Sequence, residues 1–261
     1  MPPAQPAARS VFDSAAAEYD AARPTYPVAL FEELAKQAGP LAGKLVLDWG
    51  AGTGIASRQL AERGATVISL DIGEQMLRRA RLRSPGSACV LADGNLMPVR
   101  SASVDLVTFA QSWHWFDPRI AAAEVVRVLR PGGLWAAWWN RAQAGDEAWF
   151  EEYEQLVSSA CPGYMSQRLR DEQLVPDWTD EVVRAQGLLE PAGRVVVQWT
   201  REVSATDWIT GDRSKSYFIE LPAATRQSVL DDVAAIIARR FPDGEMTVPY
   251  ITTLLLARKS A

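Results

Sequence analysis

Short apolar runs that end in an acid alternate with stretches that are apolar at every third or fourth position, and this alternation holds from about residue 28 to Trp139. Val28 to Gly39 has the period of an amphipathic helix, and Val46-Leu47-Asp48-Trp49 that of a buried strand. Ile55 to Gly64 reads as the next helix, with Gly64 as its C-cap, and Ala65 to Leu70 as a β-branched strand ending at Asp71. Strand and helix in strict alternation predict a parallel, doubly wound α/β sheet. The regularity then lapses. A helix is expected from Asp146 to Ala160, and no clear period runs from Cys161 to Glu190. A strand from Arg194 to Glu202, helices from Asp207 to Arg240 and a last strand from Thr247 to Ala257 complete the pattern. Ahead of it, Val11 to Glu18 looks helical, and Tyr19 to Pro27 reads as an extended or turn segment fixed by its two prolines.

Composition narrows the function classes. The chain has 261 residues, 48% of them hydrophobic and 23% charged, enough for one large domain or a domain with an inserted cap. A net charge of −5 offers no general attraction to nucleic acid, and the run Arg78, Arg79, Arg81, Arg83 reads as the solvated end of a helix. Two cysteines, Cys89 and Cys161, suit a reducing compartment and no disulfide framework. No apolar run approaches the roughly eighteen residues that span a bilayer, so residues 1–10 are expected to be a disordered tail on a cytoplasmic protein. Neither a CxxC nor an HxxH spacing is present, and no metal is expected. A monomer or a homodimer, with a small molecule as partner, fits this profile.

The chemistry concentrates at Asp48-Trp49-Gly50-Ala51-Gly52-Thr53-Gly54, where a strand turns into a helix through alternating glycines. Glycine permits positive φ and lets the backbone approach a ligand that a Cβ would hold off. A dinucleotide site spaces its glycines GxGxxG around a pyrophosphate; here the spacing is GxGxG, and a carboxylate two residues ahead would repel phosphate and welcome an ammonium. Asp71, at the tip of the second strand, sits where it can accept hydrogen bonds from both hydroxyls of an adenosine ribose. Adenosine, an ammonium, a sulfonium and no phosphate together describe S-adenosyl-L-methionine.

The segment resembles the first motifs of the class I S-adenosylmethionine-dependent methyltransferases, and the likeness continues in order. Ala88 to Ala92 followed by Asp93-Gly94-Asn95-Leu96-Met97-Pro98 is similar to the family's third strand and its adenine-contacting turn, Ser103 to Ala110 to the fourth strand, and Glu124 to Gly133 to the helix and turn before the fifth. The resemblance implies a Rossmann-like seven-stranded sheet whose last strand is antiparallel, with a helical cap over the carboxyl ends of the strands at about 162–186 and 205–240. It also implies a cofactor set of Asp48, Gly50, Gly52, Gly54, Asp71, Ile72, Asp93, Gly94 and Gln111. Direct transfer of a methyl group to a small-molecule acceptor follows, by O-methylation of a carboxylic acid or on a natural-product intermediate. A nicotinamide-dependent oxidoreductase, or a methyltransferase-like binding protein without turnover, are the alternatives.

Tyr19, Arg23, Pro24, Tyr26 and Pro27 resemble a signature of the branch that includes trans-aconitate methyltransferase-like enzymes, which implies that Tyr19 and Arg23 touch the methionine part of the cofactor. His114 is the one histidine and lies in Gln111-Ser-Trp-His-Trp-Phe-Asp117, just after the fourth strand, where it can serve as a base or as a binding residue. Ten tryptophans are present, and Trp113, Trp115, Trp138 and Trp139, with Asn140, gather at strand ends where they can be core or acceptor wall. Arg213, Lys215 and Tyr217 either face a substrate carboxylate or begin an exposed helix.

Overall fold

The computed structural model describes residues 23–93, 97–144, 147–164, 182–183 and 187–260. The expected tail, the helix at 11–18, Tyr19, Gly94 and most of the segment 162–186 lie outside them.

Seven strands form one sheet in the order β3-β2-β1-β4-β5-β7-β6. The strands are β1 Leu45–Trp49, β2 Thr66–Asp71, β3 Ala88–Leu91, β4 Val104–Ala110, β5 Leu129–Ala142, β6 Leu189–Ser204 and β7 Glu245–Lys259. The pairs among β1 to β5 are parallel, whereas β7 runs antiparallel to both β5 and β6. This is the doubly wound sheet that the pattern predicts, with the antiparallel last strand that the family resemblance implies. The helices are α1 Val28–Ala38, α2 Ile55–Ala61, α3 Glu74–Arg83, α4 Pro118–Val128, α5 Ala148–Ala160, α6 Ala205–Arg213, α7 Ser216–Ile219 and α8 Ala223–Arg240.

Strand alternation sorts the apolar residues onto two faces. Leu47, Trp49, Val107 and Phe109 pack with Ala122 and Val125 of α4 on one side, and Val46, Leu106 and Trp138 pack with Leu30 and Phe31 of α1 and Leu60 of α2 on the other. Both faces are covered, which is why the central strands read as continuous apolar runs. One boundary differs from the sequence reading: α2 stops at Ala61, because Arg63 and Gly64 donate to Leu60 and Ala61 in tightened three-residue turns. Gly64, at φ +84°, then reverses the chain.

A third core of Trp149, Tyr153, Trp208, Phe218 and Val233 joins α5 to α6–α8. The three helices α6 to α8 are an insertion in the β6–β7 hairpin: Ser204 pairs with Glu245, and the Ala205 amide donates to the Gly244 carbonyl at 2.8 Å. The insertion thus enters and leaves the sheet at one point, near the ends of β1, β4 and β5.

Candidate active site

A cavity of about 490 Å³ opens where the carboxyl ends of β1, β2, β4 and β5 meet the helical insertion. Its size suits a drug-sized ligand. Arg23, Gly50, Gly52, Asp71, Ile72, Gln111, His114, Trp115, Trp139, Asn140 and Tyr217 line it, so most of the residues singled out in the sequence come together in one place.

At one end, the turn after β1 is built on backbone geometry. Gly50 and Gly52 have φ of +73° and +56°, and the amides of Gly50 and Ala51 both donate to the Leu70 carbonyl, at 2.8 and 3.0 Å. A Cβ on Gly50 would stand 2.6 Å from Cβ of Ser112, whose hydroxyl donates to the Trp49 carbonyl at 2.7 Å. Asp71 reaches the same turn: one carboxylate oxygen accepts the Gly52 amide at 2.7 Å and the other accepts the Gly73 amide at 2.8 Å. Those bonds hold the acid still at the mouth of the turn, and a carboxylate oxygen is able to accept more than one hydrogen bond. Gln111, a non-glycine residue at φ +59°, carries local strain at the tip of β4, the kind of cost that clusters at functional sites.

Asp48 does not join this wall. It is wholly buried beneath α2, where it accepts hydrogen bonds from the hydroxyls of Ser57 at 2.6 Å and Thr108 at 2.9 Å. Burial pushes its carboxyl up to about 6, against the pull of those two hydroxyls. The reason is strand alternation: Asp48 shares the face of Val46, and its β4 neighbour Thr108 faces the same way. Gly54 caps α2 in the left-handed conformation outside the cavity lining, and the exposed Asp93 is also outside it.

Trp113, His114 and Trp115 form a single 3-10 turn after β4, which divides them. Trp113 is buried against Phe109 and Trp135 and belongs to the core, whereas His114 and Trp115 line the cavity. The same division separates Trp138, buried against Tyr26 and Phe31, from Trp139 in the cavity wall. The Trp139 indole N–H donates to Nδ1 of His114 at 3.2 Å. Burial, and then the positive charge of Arg23, press the His114 imidazole down to about 4, so it is neutral near pH 7. Asp117, its acidic neighbour in sequence, is occupied elsewhere: its carboxylate caps α4 by accepting the Arg119 amide at 2.9 Å.

The sequence marked only Lys215 and Tyr217 of the far end. Arg141 from the end of β5, Arg201 from β6 and Tyr250 from β7 line it together with Tyr153 of α5 and Asp212 and Lys215 from the insertion. The Arg201 guanidinium lies 5.9 Å from the centre of the Tyr250 ring and donates to its hydroxyl at 3.4 Å. Asp212 is buried; one of its oxygens accepts from the Tyr153 hydroxyl at 3.0 Å and from Nζ of Lys215 at 2.6 Å. Burial and that neighbouring carboxylate drive the Tyr153 hydroxyl well above its ordinary value, so it stays protonated and donating. Arg213 is exposed and lies outside the cavity lining. Arg23 donates to the Ser214 carbonyl at 3.5 Å, and Asn140 to the Thr25 carbonyl at 3.2 Å, so the lead-in to α1 is tied to both the insertion and β5. Among the described residues, no three His, Cys, Asp or Glu side chains gather as metal ligands, and no helix is long and apolar enough to cross a membrane.

Comparison with known proteins adds the following. A family described as a methyltransferase domain matches residues 47–137. The chain is 34% identical over 251 residues to an uncharacterized methyltransferase of Mycobacterium tuberculosis, covering 94% of each protein. It is 30% identical over 195 residues to a demethylmenaquinone methyltransferase of Beutenbergia cavernae, covering 70% of this chain and 80% of that one. A solved structure from Anaeromyxobacter dehalogenans, proposed to be a type II methyltransferase, shares the fold with a TM-score of 0.65 at 24% identity, over 91% of this chain and 97% of its own.

Proposed function

Because the chain belongs to the class I S-adenosylmethionine-dependent methyltransferases, we propose that its cavity brings that cofactor's methyl group to a small carboxylic acid bound at the far, cationic end. S-Adenosylmethionine would supply a methyl group on a sulfonium: an in-line lone pair of the acceptor bonds to the methyl carbon as the carbon–sulfur bond breaks and S-adenosylhomocysteine leaves. The cradle fits the cofactor on two observations: the open space that a Cβ at Gly52 would enter, with nothing within 4 Å, and a carboxylate held fixed at Asp71.

In this reading Asp71 accepts from the ribose hydroxyls, the Gly50–Gly52 turn admits the methionine end against bare backbone, and Ile72 covers the adenine. Arg23 meets the cofactor carboxylate, a role in keeping with the likeness of its segment to the trans-aconitate methyltransferase-like branch. Trp115, His114 and Trp139 form the wall beside the reacting atoms, and Asn140 and Tyr217 flank the acceptor. Positioning supplies most of the rate, since the acceptor has only to be held in line.

One observation carries the choice of acceptor. Beyond His114, the described lining residues include the cations Arg141, Arg201 and Lys215, and Asp212 as the single acid. Asp212 pairs with Lys215, and Arg141 and Arg201 put two guanidiniums on the same wall, the groups best shaped to grip a carboxylate in a fork. Aromatic rings between them accept the apolar body of such an acid.

Isothermal titration with S-adenosylmethionine, followed by methyl transfer from isotope-labelled cofactor to a panel of small carboxylic acids, tests the proposal. The expected product is a methyl ester, which releases labelled methanol in alkali. Label recovered only in alkali-stable products would assign the acceptor to another class.

A further inference from the structure

We propose that Trp139 is a positioning residue that fixes the tautomer of His114, so that the imidazole donates a hydrogen bond from Nε2 to the acceptor and does not take a proton from it. An indole nitrogen is only a donor. With the Trp139 N–H directed at Nδ1 at 3.2 Å, that nitrogen must carry the lone pair, and the proton of the neutral ring resides on Nε2. Taking up a second proton would set Nδ1–H against the indole N–H. Neither ring can easily turn away. Trp139 is held in β5 opposite Thr253 of β7, and the His114 ring lies against Trp115 within the 3-10 turn, centroids 4.9 Å apart and planes tilted by 41°.

The surroundings act in the same direction. Arg23, from the lead-in to α1, acts on the ring, and a cation there further disfavours imidazolium. The acid on the same segment, Asp117, is engaged with the N-terminus of α4, so it does not form with the ring the Nδ1–H to carboxylate pair that orients a catalytic base. A ring locked in this way is of no use to a hydroxyl or amine acceptor that must lose a proton. It serves a carboxylate, which has none to lose and whose oxygen accepts from Nε2–H; this consequence rests on the acceptor proposed above, whereas the tautomer does not.

His114 is the one histidine of the chain, so nitrogen NMR on histidine-labelled protein reports a single imidazole without assignment. In the cofactor-free enzyme near neutral pH, the expected spectrum has Nε2 protonated and Nδ1 bare, with a titration midpoint well below the ordinary value of about 6.5. Trp139→Phe, which keeps a ring in place, should mix the tautomers and raise the midpoint by about one pH unit or more. A wild-type ring protonated at Nδ1, or a Trp139→Phe spectrum identical to wild type, would overturn the proposal. A locked Nε2–H ring in an enzyme that methylates no carboxylate would leave the lock standing and remove only the acceptor class.

Discussion

Asp71 and Gly52 are joined by a 2.7 Å hydrogen bond from the glycine amide to the carboxylate, so the acid at the tip of β2 shapes the turn that follows β1. Asp71→Ala should therefore act twice, freeing two amides and removing the acceptor for the ribose. Hydrogen bonds to a charged acceptor contribute about 1.5–3 kcal/mol each, so the affinity for S-adenosylmethionine should fall by at least about tenfold in calorimetric titration. An unchanged dissociation constant would mean that the ribose lies elsewhere.

Gly50 and Gly52 both require positive φ, but only Gly50 is crowded. A Cβ there meets Ser112 at 2.6 Å, whereas one on Gly52 has nothing within 4 Å. Gly52→Ala should cost roughly 1 kcal/mol, the conformational term alone. Gly50→Ala should cost at least about 1 kcal/mol more and displace Ser112 from the Trp49 carbonyl. Urea denaturation of the two variants side by side checks the order.

Asp48 and His114 make the folded state respond to acid in opposite senses. The Asp48 carboxyl rises from 3.8 to about 6 on folding, so between those values the folded protein holds a proton that the unfolded chain has released. Its contribution is fully present below the lower value and is lost as pH rises through the upper, a change of roughly 3 kcal/mol. The His114 imidazole falls from 6.5 to about 4, so in that window the unfolded chain takes up a proton that the folded ring refuses, and stability is lost on acidification. Asp48→Asn should leave stability rising with pH between about 4 and 6.5, and His114→Gln should leave it falling. Denaturation midpoints at the two ends of the window, for each variant, would show the opposed slopes; slopes of one sign in both variants would remove this account.

Arg201 and Arg141 are expected to bind acceptor and not cofactor. Arg201→Gln should raise the acceptor KM by about ten- to a hundredfold with little change in cofactor affinity, because one charge-assisted pair contributes about 1.5–3 kcal/mol. His114→Gln should likewise act mainly on acceptor KM, and the acid limb of the pH–rate profile should follow the acceptor's own ionisation. A large loss of turnover at saturating acceptor, restored by raising pH, would instead make His114 a general base. Lys215→Met tests a separate point: it strands the buried Asp212 carboxylate, so its main effect should be a loss of stability of about 3–5 kcal/mol, read by denaturation.

Local chemistry in the chain determined much of this protein. Strand, glycine turn, helix, strand and acid follow from short-range rules of φ, capping and alternation, and they placed Gly50, Gly52 and Asp71 at one turn before any long-range contact was known. Likeness to the methyltransferase family marked Arg23 and Gln111, and position at the strand ends marked His114, Trp115, Trp139 and Asn140, which all reach the cavity. Tertiary structure decided which way each side chain faces. Period-two alternation turns Asp48 under α2 and Trp138 into the core while sending Trp139 to the cavity, and a pattern apolar on both faces does not announce which face is which. It also decided the far end, where Arg141, Arg201 and Lys215 meet only because β7 lies between β5 and β6 and the insertion folds back from their hairpin. Arg141 precedes Arg201 by 60 positions, and residues so far apart leave no periodic trace in the chain, since what joins them is sheet register and the packing of a separate core.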